Sequence, residues 1–490
     1  MTASSAGHLA RYCALFAGLR PEDLARLPDF FTEDARFKDP FNDVRGVPGV
    51  QAVFAHMFAA TEGPRFEILD QALSGSTGFV RWRFRFAPRG RPGAEREIEG
   101  VSCVVFAPDG RVTEHVDYWA MRWSDILRVK AEFPVKVWPN AAQAYHRWVW
   151  EAIAQNKPYD QFARELLTSS GSNFRVGPVN FYRAIQNKTP EGIAAAAGLA
   201  LMGTRVRAWP EDRRAGMAAF FTQIGYKPTS EWKEEIVFWD PLKSVAVPGS
   251  IAPGIDVVAK SVTATNQIPQ ALAEPLSENG PLDAVFPDGT KVTIPPNRDP
   301  REVFAEWLIR PENPWFAKNI VNRTWSWIMG RGIIHEPDDI REDNPPSNPE
   351  LLAYLEKELV SNRYDLRHLK RLIFTSTTYQ FSSIPRFKGP EARANFASYL
   401  LRRVEAEVLI DALNDITGSS DLYTSAVPEP FTYIPQDMTA VQVADGSVTS
   451  SFLTLFGRSS RSTGMETERV NELASPQWLY MLNSATIQAK

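Results

Sequence analysis

Cysteine is almost absent: Cys13 and Cys103 are the only two in 490 residues. Neither stands in a C-x-x-C or C-x-x-C-H spacing, which excludes a c-type haem attachment, a cysteine-rich zinc site and a disulfide framework. A single pairing of the two stays open until the fold is known. An excess of positive charge is also missing. Lys and Arg number 54 against 58 Asp and Glu, a net charge of -4, so the basic footprint of a nucleic-acid binder is lacking. No apolar run reaches the roughly 18 residues of a transmembrane span. The opening MTASSAGHLARYCALFAGL has no basic leader and carries Arg11 within its apolar part. It reads as an amphipathic helix rather than a signal peptide, and a cytoplasmic location is expected for the chain as written. G-x-S-x-G, H-E-x-x-H and P-loop motifs are absent, and no short-period repeat is visible.

What is present is proline, at 37 residues, and tryptophan, at 14. So many prolines imply short elements joined by ordered connections. Tryptophan lines interfaces and grooves as well as cores. With 44% hydrophobic and 23% charged residues the composition is that of a soluble globular protein, and the length fits two or three domains.

The first 119 residues read as helices followed by strands. Leu9, Tyr12, Cys13, Phe16 and Leu19 mark one helical face, and Pro21-Glu22-Asp23 looks like the first turn of a second helix. ARFKDPF is a short strand stopping at Asp39-Pro40. GVPGVQAVFAHMFAAT is a third helix, with Val50, Val53, Phe54, Met57 and Phe58 inward. RFEILDQAL, GFVRWRFRFA, REIEGVSCVVFA and RVTEHVDYW follow as strands, the last two joined by a PDG turn. Helices and then an antiparallel run make an α+β roll.

The stretches FFTEDARFKDPFNDVRGVPGVQAVFAHMF and VVFAPDGRVTEHVDYW resemble the nuclear transport factor 2-like superfamily, in its SnoaL-like branch. The resemblance implies a cone: a curved sheet wrapped on helices around an apolar pocket. Some members are isomerases, cyclases or epoxide hydrolases; others only bind small molecules or act as assembly modules. It implies a small apolar ligand, pairing of two copies through the cone, and no cofactor or metal. Tyr12, Phe41, Trp82 and Trp119 are the expected ligand-binding residues, with the Tyr12 hydroxyl a candidate donor. The candidate catalytic residues are Asp39, His115 and Asp117. Asp39, near a strand end, resembles the family's base in position. His115 and Asp117 are two apart on the expected strand, hence on one side of it. A carboxylate in an apolar pocket has a raised pKa and can act as a general base. Against this, Asp before proline is ordinary turn chemistry, and His115 with Asp117 can simply pair with each other.

From Trp119 onward the pattern becomes helical. Trp123, Ile126 and Leu127 share a face, and Asn140 is placed to cap the helix containing Tyr145, Trp148, Ala152 and Ile153. EGIAAAAGLALMG is a small-residue helix that must pack closely. Residues 241–300 are proline-rich and strand-like, with a second PDG hairpin in DAVFPDGTKVTIPP. Asn313-Pro314 and Asn348-Pro349-Glu350 are helix starts, and Gly330 or Gly332 ends the first of those helices.

RWSDILRVKAEFPVKVWPNAAQAYHRWV, NKPYDQFARELLTSSGSNF, NPWFAKNIVNRTWSWIMGRGI, DDIREDNPPSNPELL and FGRSSRSTGMETERVN resemble a pair of uncharacterised domains found together in planctomycete-type secreted proteins, often beside a cytochrome c domain. The resemblance implies no known activity. It implies relatives with a secretion signal, a longer segment before RWSDILRVK and further helix after LNSATIQAK. Both ends of the module are therefore expected to lack cover, leaving Trp123, Ile126 and Leu127 at one end and Trp478, Leu479, Leu482 and Ile487 at the other without partners.

The expected architecture is α+β: an N-terminal cone-shaped roll, then a mainly α-helical module with a small β insertion. The divisions are 1–119, 120–240, 241–300 and 301–490, with a fusion at Tyr118-Trp119. The acidic group His335, Asp338, Asp339, Glu342 and Asp343 lacks the EF-hand pattern and reads as a turn with helix capping, with Arg323 facing Asp338 or Asp339. The leading functional expectation is a small-molecule pocket with weak acid/base chemistry joined to a helical module of unknown role. The alternative is a surface-type structural or carbohydrate-associated protein without catalysis, or a fusion without function.

Overall fold

A computed structural model describes residues 5–32, 35–38, 43–74, 77–89, 96–106, 112–113, 116–243, 280–428, 431–435 and 438–488. The chain opens with α1 (Ser5–Ala17), which buries Leu9, Tyr12, Cys13 and Phe16 as their spacing requires. Residues 21–29 form a 3₁₀ helix rather than an α-helical turn. β1 (Arg36–Lys38) and β2 (Asp43–Arg45) make a hairpin, Phe37 opposite Val44. α2 (Gly46–Ala60) buries Val47, Val50, Val53 and Phe54.

β3 (Thr61–Ser74), β4 (Thr77–Pro88), β5 (Arg96–Phe106) and the short β6 (Val112–Thr113) pair antiparallel in that order. Phe66 stands opposite Phe84 and Ile68 opposite Trp82. Register shifts at Glu62/Arg65 and Ile68/Asp70 bend β3, the local effect of a bulge. α1 and α2 pack on the inner face of this sheet around Phe16, Phe54, Val80 and Val104.

The expected strand over 111–119 is corrected. Among the described residues of this stretch, 112–113 pair with β5, and a helix, α3 (Asp117–Ile126), begins at Asp117. Ala120, Trp123 and Ile126 fall on one buried helical face, and Asp117 sits in the first turn where a negative charge suits the helix dipole. Those contacts outweigh the alternation of EHVDYW.

The helical module continues with α4 (Pro139–Ala154), α5 (Tyr159–Thr168), β7 (Gly171–Ser172), α6 (Asn180–Arg183), α7 (Pro190–Ala197) and α8 (Glu211–Ala219). Pro139 takes the first helical position of α4 and Trp138 its cap, so Asn140 lies inside the first turn instead of capping it. The small-residue run passes from α7 into a π-helical turn over Gly198–Met202, all buried. β8 (Ile224–Pro228) and β9 (Glu235–Trp239) join β7 in the order β7-β9-β8. β10 (Leu282–Val285) and β11 (Lys291–Ile294) form the PDG hairpin. Then come α9 (Pro300–Leu308), α10 (Phe316–Met329), α11 (Pro349–Ser361), α12 (Leu366–Phe374), α13 (Pro390–Ala394), α14 (Ala406–Thr417), α15 (Ser451–Leu455), α16 (Ser475–Asn483) and α17 (Ala485–Gln488).

The caps follow the sequence. Asn313 accepts from the Trp315 and Phe316 amides at 3.0 and 3.1 Å. Asn348 accepts from Leu351 at 2.9 Å. Gly330 closes α10 at φ 82°.

One hydrophobic core extends from Ala120 to Phe396, so the segments before and after the hairpin share it. Tryptophans build it: Trp123 packs on Tyr159, Phe162 and Trp327 at ring distances of 5.7, 5.0 and 5.9 Å. The expected lack of cover at this end is therefore corrected, since Trp123, Ile126 and Leu127 are buried. Trp478, Leu479 and Leu482 are exposed, whereas Ile487, expected to lack a partner as well, packs against the cluster around Phe452 and Phe456. A smaller core joins Ala406, Ile410, Tyr423, Phe452 and Phe456. No described helix is long and apolar enough to cross a membrane.

Candidate functional site

Strand alternation divides the roll's sheet into two unlike faces. On β4, Val80, Trp82, Phe84 and Phe86 point inward, while Arg81, Arg83 and Arg85 point out. Glu67 lies on the same outer face and pairs with Arg83 at 3.4 Å and Arg85 at 3.7 Å. Inward, Phe66 stacks on Phe84 at 4.4 Å, Phe84 on Phe86 at 4.9 Å, and Trp82 meets Phe66 edge-on at 5.6 Å. These four rings are only half-buried. The rings deeper in, Phe16, Phe31 and Phe54, are fully covered. The result is a polarity gradient: a closed aromatic core at the helices and a half-open aromatic wall along β3 and β4.

Tyr12 is inside this domain, 4.6 Å from Phe16 and 6.2 Å from Phe31. Burial, with Cys13 beside it, pushes its phenol up, so at neutral pH the hydroxyl keeps its proton. Cys13 is a free, buried thiol. Asp39, Phe41 and His115 lie outside the described residues. Trp82 is on the aromatic wall.

Asp117 and Trp119 are placed elsewhere. Both are on α3, and the partners found for them belong to the helical module. Asp117 accepts from Trp150 Nε1 at 2.7 Å and from Gln442 at 3.4 Å. The Trp119 ring lies 4.0 Å beneath the Lys370 ammonium and 6.2 Å from Trp327. Tyr118 donates to Glu405 at 3.0 Å. The strand expected to carry both His115 and Asp117 does not include Asp117, where the chain is helical.

The second notable centre is a buried charge cluster that brings the characteristic phrases of the helical module together. Asp125 meets Arg461 at 2.9 Å and Arg469 at 2.8 Å. Arg469 also pairs with Glu407 at 2.6 Å, and Arg458 with Glu407 at 3.2 Å. Burial alone would push the Glu407 carboxyl up. Arg469, through charge and hydrogen bonds, and then Arg458 outweigh it and hold the pKa down to about 2. Arg323 donates to Asp338 at 2.6 Å and to the Leu199 and Ala200 carbonyls. Asp338 in turn accepts from the Glu466 amide at 2.5 Å. The Glu466 carboxylate binds Arg122 and Trp327 Nε1. Sequence reading foresaw the Arg323–Asp338 pair but missed the others. Their signal was the density of Arg and Glu in FGRSSRSTGMETERVN, a segment with no helical period to place it.

Asp339 and Asp343 pair with Arg341, both at 3.1 Å. Among the described residues no group of three or more His, Cys, Asp or Glu is arranged to hold a metal ion.

Comparison with known proteins finds three family matches along the chain. Residues 11–115 match the model of the SnoaL-like domain. Residues 111–205 and 300–490 match two families, each described as a protein of unknown function, DUF1549 and DUF1553. The chain matches a SnoaL-like domain joined to two domains of unknown function. The SnoaL-like and DUF1549 matches overlap only at 111–115, just ahead of α3. Two solved structures are similar to part of the chain. One is a hypothetical protein with a ketosteroid isomerase-like fold from Catenulispora acidiphila, in complex with trimethylamine: 16% identity, TM-score 0.19, 22% of this chain and 79% of that one. The other is a steroid delta-isomerase from Pseudomonas aeruginosa: 26% identity, TM-score 0.17, 22% and 74%. No curated protein matches the chain.

Proposed function

We propose that the SnoaL-like domain binds one small, flat, largely apolar molecule against Phe66, Trp82, Phe84 and Phe86. The observation carrying this reading is that four mutually packed rings on the inner face are left half-buried while the arginines of the same strand face away. Ring stacking of this kind is worth about 0.5–1.5 kcal/mol per pair beyond the area buried. Tyr12, held protonated, is the proposed donor to a ligand oxygen. The acid/base step is assigned to Asp39 and His115, while Asp117, bonded to Trp150 and Gln442, is proposed to secure the join. The test is titration of the full chain with a planar fluorescent probe such as 1-anilinonaphthalene-8-sulfonate. Trp82→Ala and Phe84→Ala are each expected to weaken binding about tenfold, a loss of about 1.4 kcal/mol. Unchanged affinity in both variants overturns the reading.

A second reading, a carbohydrate-associated surface, is favoured by one exposed cluster. Trp138, Trp232 and Phe431 pack within 4.7–5.8 Å of one another. Lys233 lies 5.5 Å over Trp232, a ring that is 58% exposed. Retention on an insoluble glucan, abolished by Trp232→Ala, is the expected outcome under this reading. Passage of the parent chain through that matrix removes it.

A further inference from the structure

Three segments distant in sequence bring aromatic rings to one exposed place. Trp138 precedes α4, Trp232 lies in the turn between β8 and β9, and Phe431 follows α14. Trp138 meets Trp232 at 4.7 Å and Phe431 at 5.8 Å, and Trp232 meets Phe431 at 5.2 Å. The rings stand at 56–79° to one another, so they make an angled platform rather than a closed stack. Trp232 and Phe431 remain 58% and 41% exposed. Two ammonium groups border the rings. Lys233 Nζ lies 5.5 Å from the Trp232 ring and 5.7 Å from that of Trp138. Lys136 Nζ lies 5.7 Å from the ring of Phe133, itself exposed.

Both lysines are exposed, and among the described residues neither forms an ion pair. The acids nearest them in sequence have other partners. Glu231 and Glu234 reach Arg175 at 3.5 and 3.8 Å, and Glu235 pairs with Arg183 at 2.8 Å. Glu132 accepts from the Ser425 hydroxyl and the Ala426 amide. The positive charge beside the rings is therefore open to an anion from outside. Backbone strain gathers at the same place. Lys136, Trp138 and Lys233 take left-handed φ values of 61°, 82° and 64°, which costs energy in a residue with a side chain and persists where the surroundings hold it. Around Lys233 they do: its carbonyl accepts from Asn173 at 3.3 Å, and the neighbouring Glu234 carboxylate accepts from Thr229 at 2.6 Å.

We infer that this platform binds an acidic polysaccharide, one whose sugar rings carry carboxylate or sulfate groups. The inference rests on the carbohydrate-associated reading of the cluster and adds to it the charge of the ligand. A sugar ring presents a face of C–H bonds that packs flat on an exposed indole and removes apolar surface from water. Lys233 is placed to meet an acidic substituent on a ring seated at Trp232, and Lys136 marks a second position toward Phe133. A lysine ammonium is a point charge on a flexible stem, which suits substituents whose position varies from sugar to sugar. The chain as a whole carries a net charge of -4, so general attraction of polyanions is not expected and the preference is local to the platform.

The test is isothermal titration of the full chain with polygalacturonate and dextran sulfate, beside neutral dextran and polyglutamate, an anionic polymer without sugar rings. At least one acidic polysaccharide is expected to bind about tenfold more tightly than dextran, and polyglutamate to give no saturable heat. Preference for polygalacturonate assigns a carboxylate; preference for dextran sulfate assigns a sulfate ester. Trp232→Ala and Lys233→Gln alter exposed side chains and spare the core. Trp232→Ala is expected to weaken binding of every sugar polymer about tenfold, and Lys233→Gln to weaken only the acidic ones, several-fold. Acidic polymers bound no more tightly than dextran, polyglutamate bound equally well, or parent-like affinity in either variant overturns the inference. So does self-association in sedimentation that Trp232→Ala abolishes, which assigns the platform to a second copy of the chain. A chain retained on insoluble glucan without preference for acidic polymers keeps the carbohydrate-associated reading and loses this inference; a chain that binds none of the polymers loses both.

Discussion

Asp411 shows how one side chain sets a pH response. It accepts from the Ala440 and Val441 amides at 2.7 and 3.0 Å. Burial nevertheless pushes its pKa up to about 7; those two hydrogen bonds oppose the rise, and Asp415 and Glu407 add to it. An ordinary aspartate titrates near 4. The folded state therefore holds this proton more tightly than the unfolded chain, and the stability it contributes is lost as pH rises from about 4 to about 7. His146 acts oppositely over much of that interval: burial, then Arg461, lower its pKa to about 3, so it removes stability as pH falls below about 6.5. The parent's profile mixes the two. The informative quantity is the difference in urea midpoint between Asp411→Asn and the parent at pH 5 and pH 7.5. The variant is expected to gain on the parent at the higher pH, and a constant difference would show that Asp411 titrates normally.

Among the elements, α3 decides how the two styles of sequence meet. Its first residue is bonded to α4 and to Gln442, so the junction is anchored in the helical module. Asp117→Ala is expected to lower stability by about 1 kcal/mol and to leave probe binding at the aromatic wall unchanged. A fall in affinity matching that of Trp82→Ala would return Asp117 to the pocket. Much of this element layer was legible beforehand. The Asn313, Asn348 and Gly330 boundaries, the PDG hairpin of β10 and β11, and the roll's helices and long strands all carry local signals: capping side chains, turn residues or a clear period. Residues 116–119 carry two periods at once, and only the burial of Trp123 and Ile126 against α5 and α10 decides between them. The inner wall was half-legible. The alternation in RWRFRF announces one apolar face, but the sequence does not say that its rings stay partly open.

At the scale of the whole molecule, the two domains of unknown function are held together by charges drawn from both. Asp125 lies within the DUF1549 match, and Glu407, Arg461 and Arg469 within the DUF1553 match. Arg469→Met leaves Asp125 with one partner fewer and Glu407 with only Arg458. Removing one member of a buried ion pair costs roughly 3–5 kcal/mol. The expected outcome is a lower thermal midpoint shared by both matched regions, followed by hydrogen exchange in α4 and in α14. If α14 loosens while α4 keeps its full protection, the two regions unfold separately and the shared core is not cooperative.

The Asp125–Arg469–Glu407 bridge also bears on inheritance. Neither stretch carries a complete set of matching charges, so a chimera taking 117–240 from one relative and 300–490 from another succeeds only when both parents place acid and base at corresponding positions. Genetic exchange inside this module is therefore restricted to pairs that already agree across that seam. Among the described residues the SnoaL-like domain supplies no member of that bridge, and its hydrophobic core is drawn from residues 9–104, so exchanging it leaves the bridge intact.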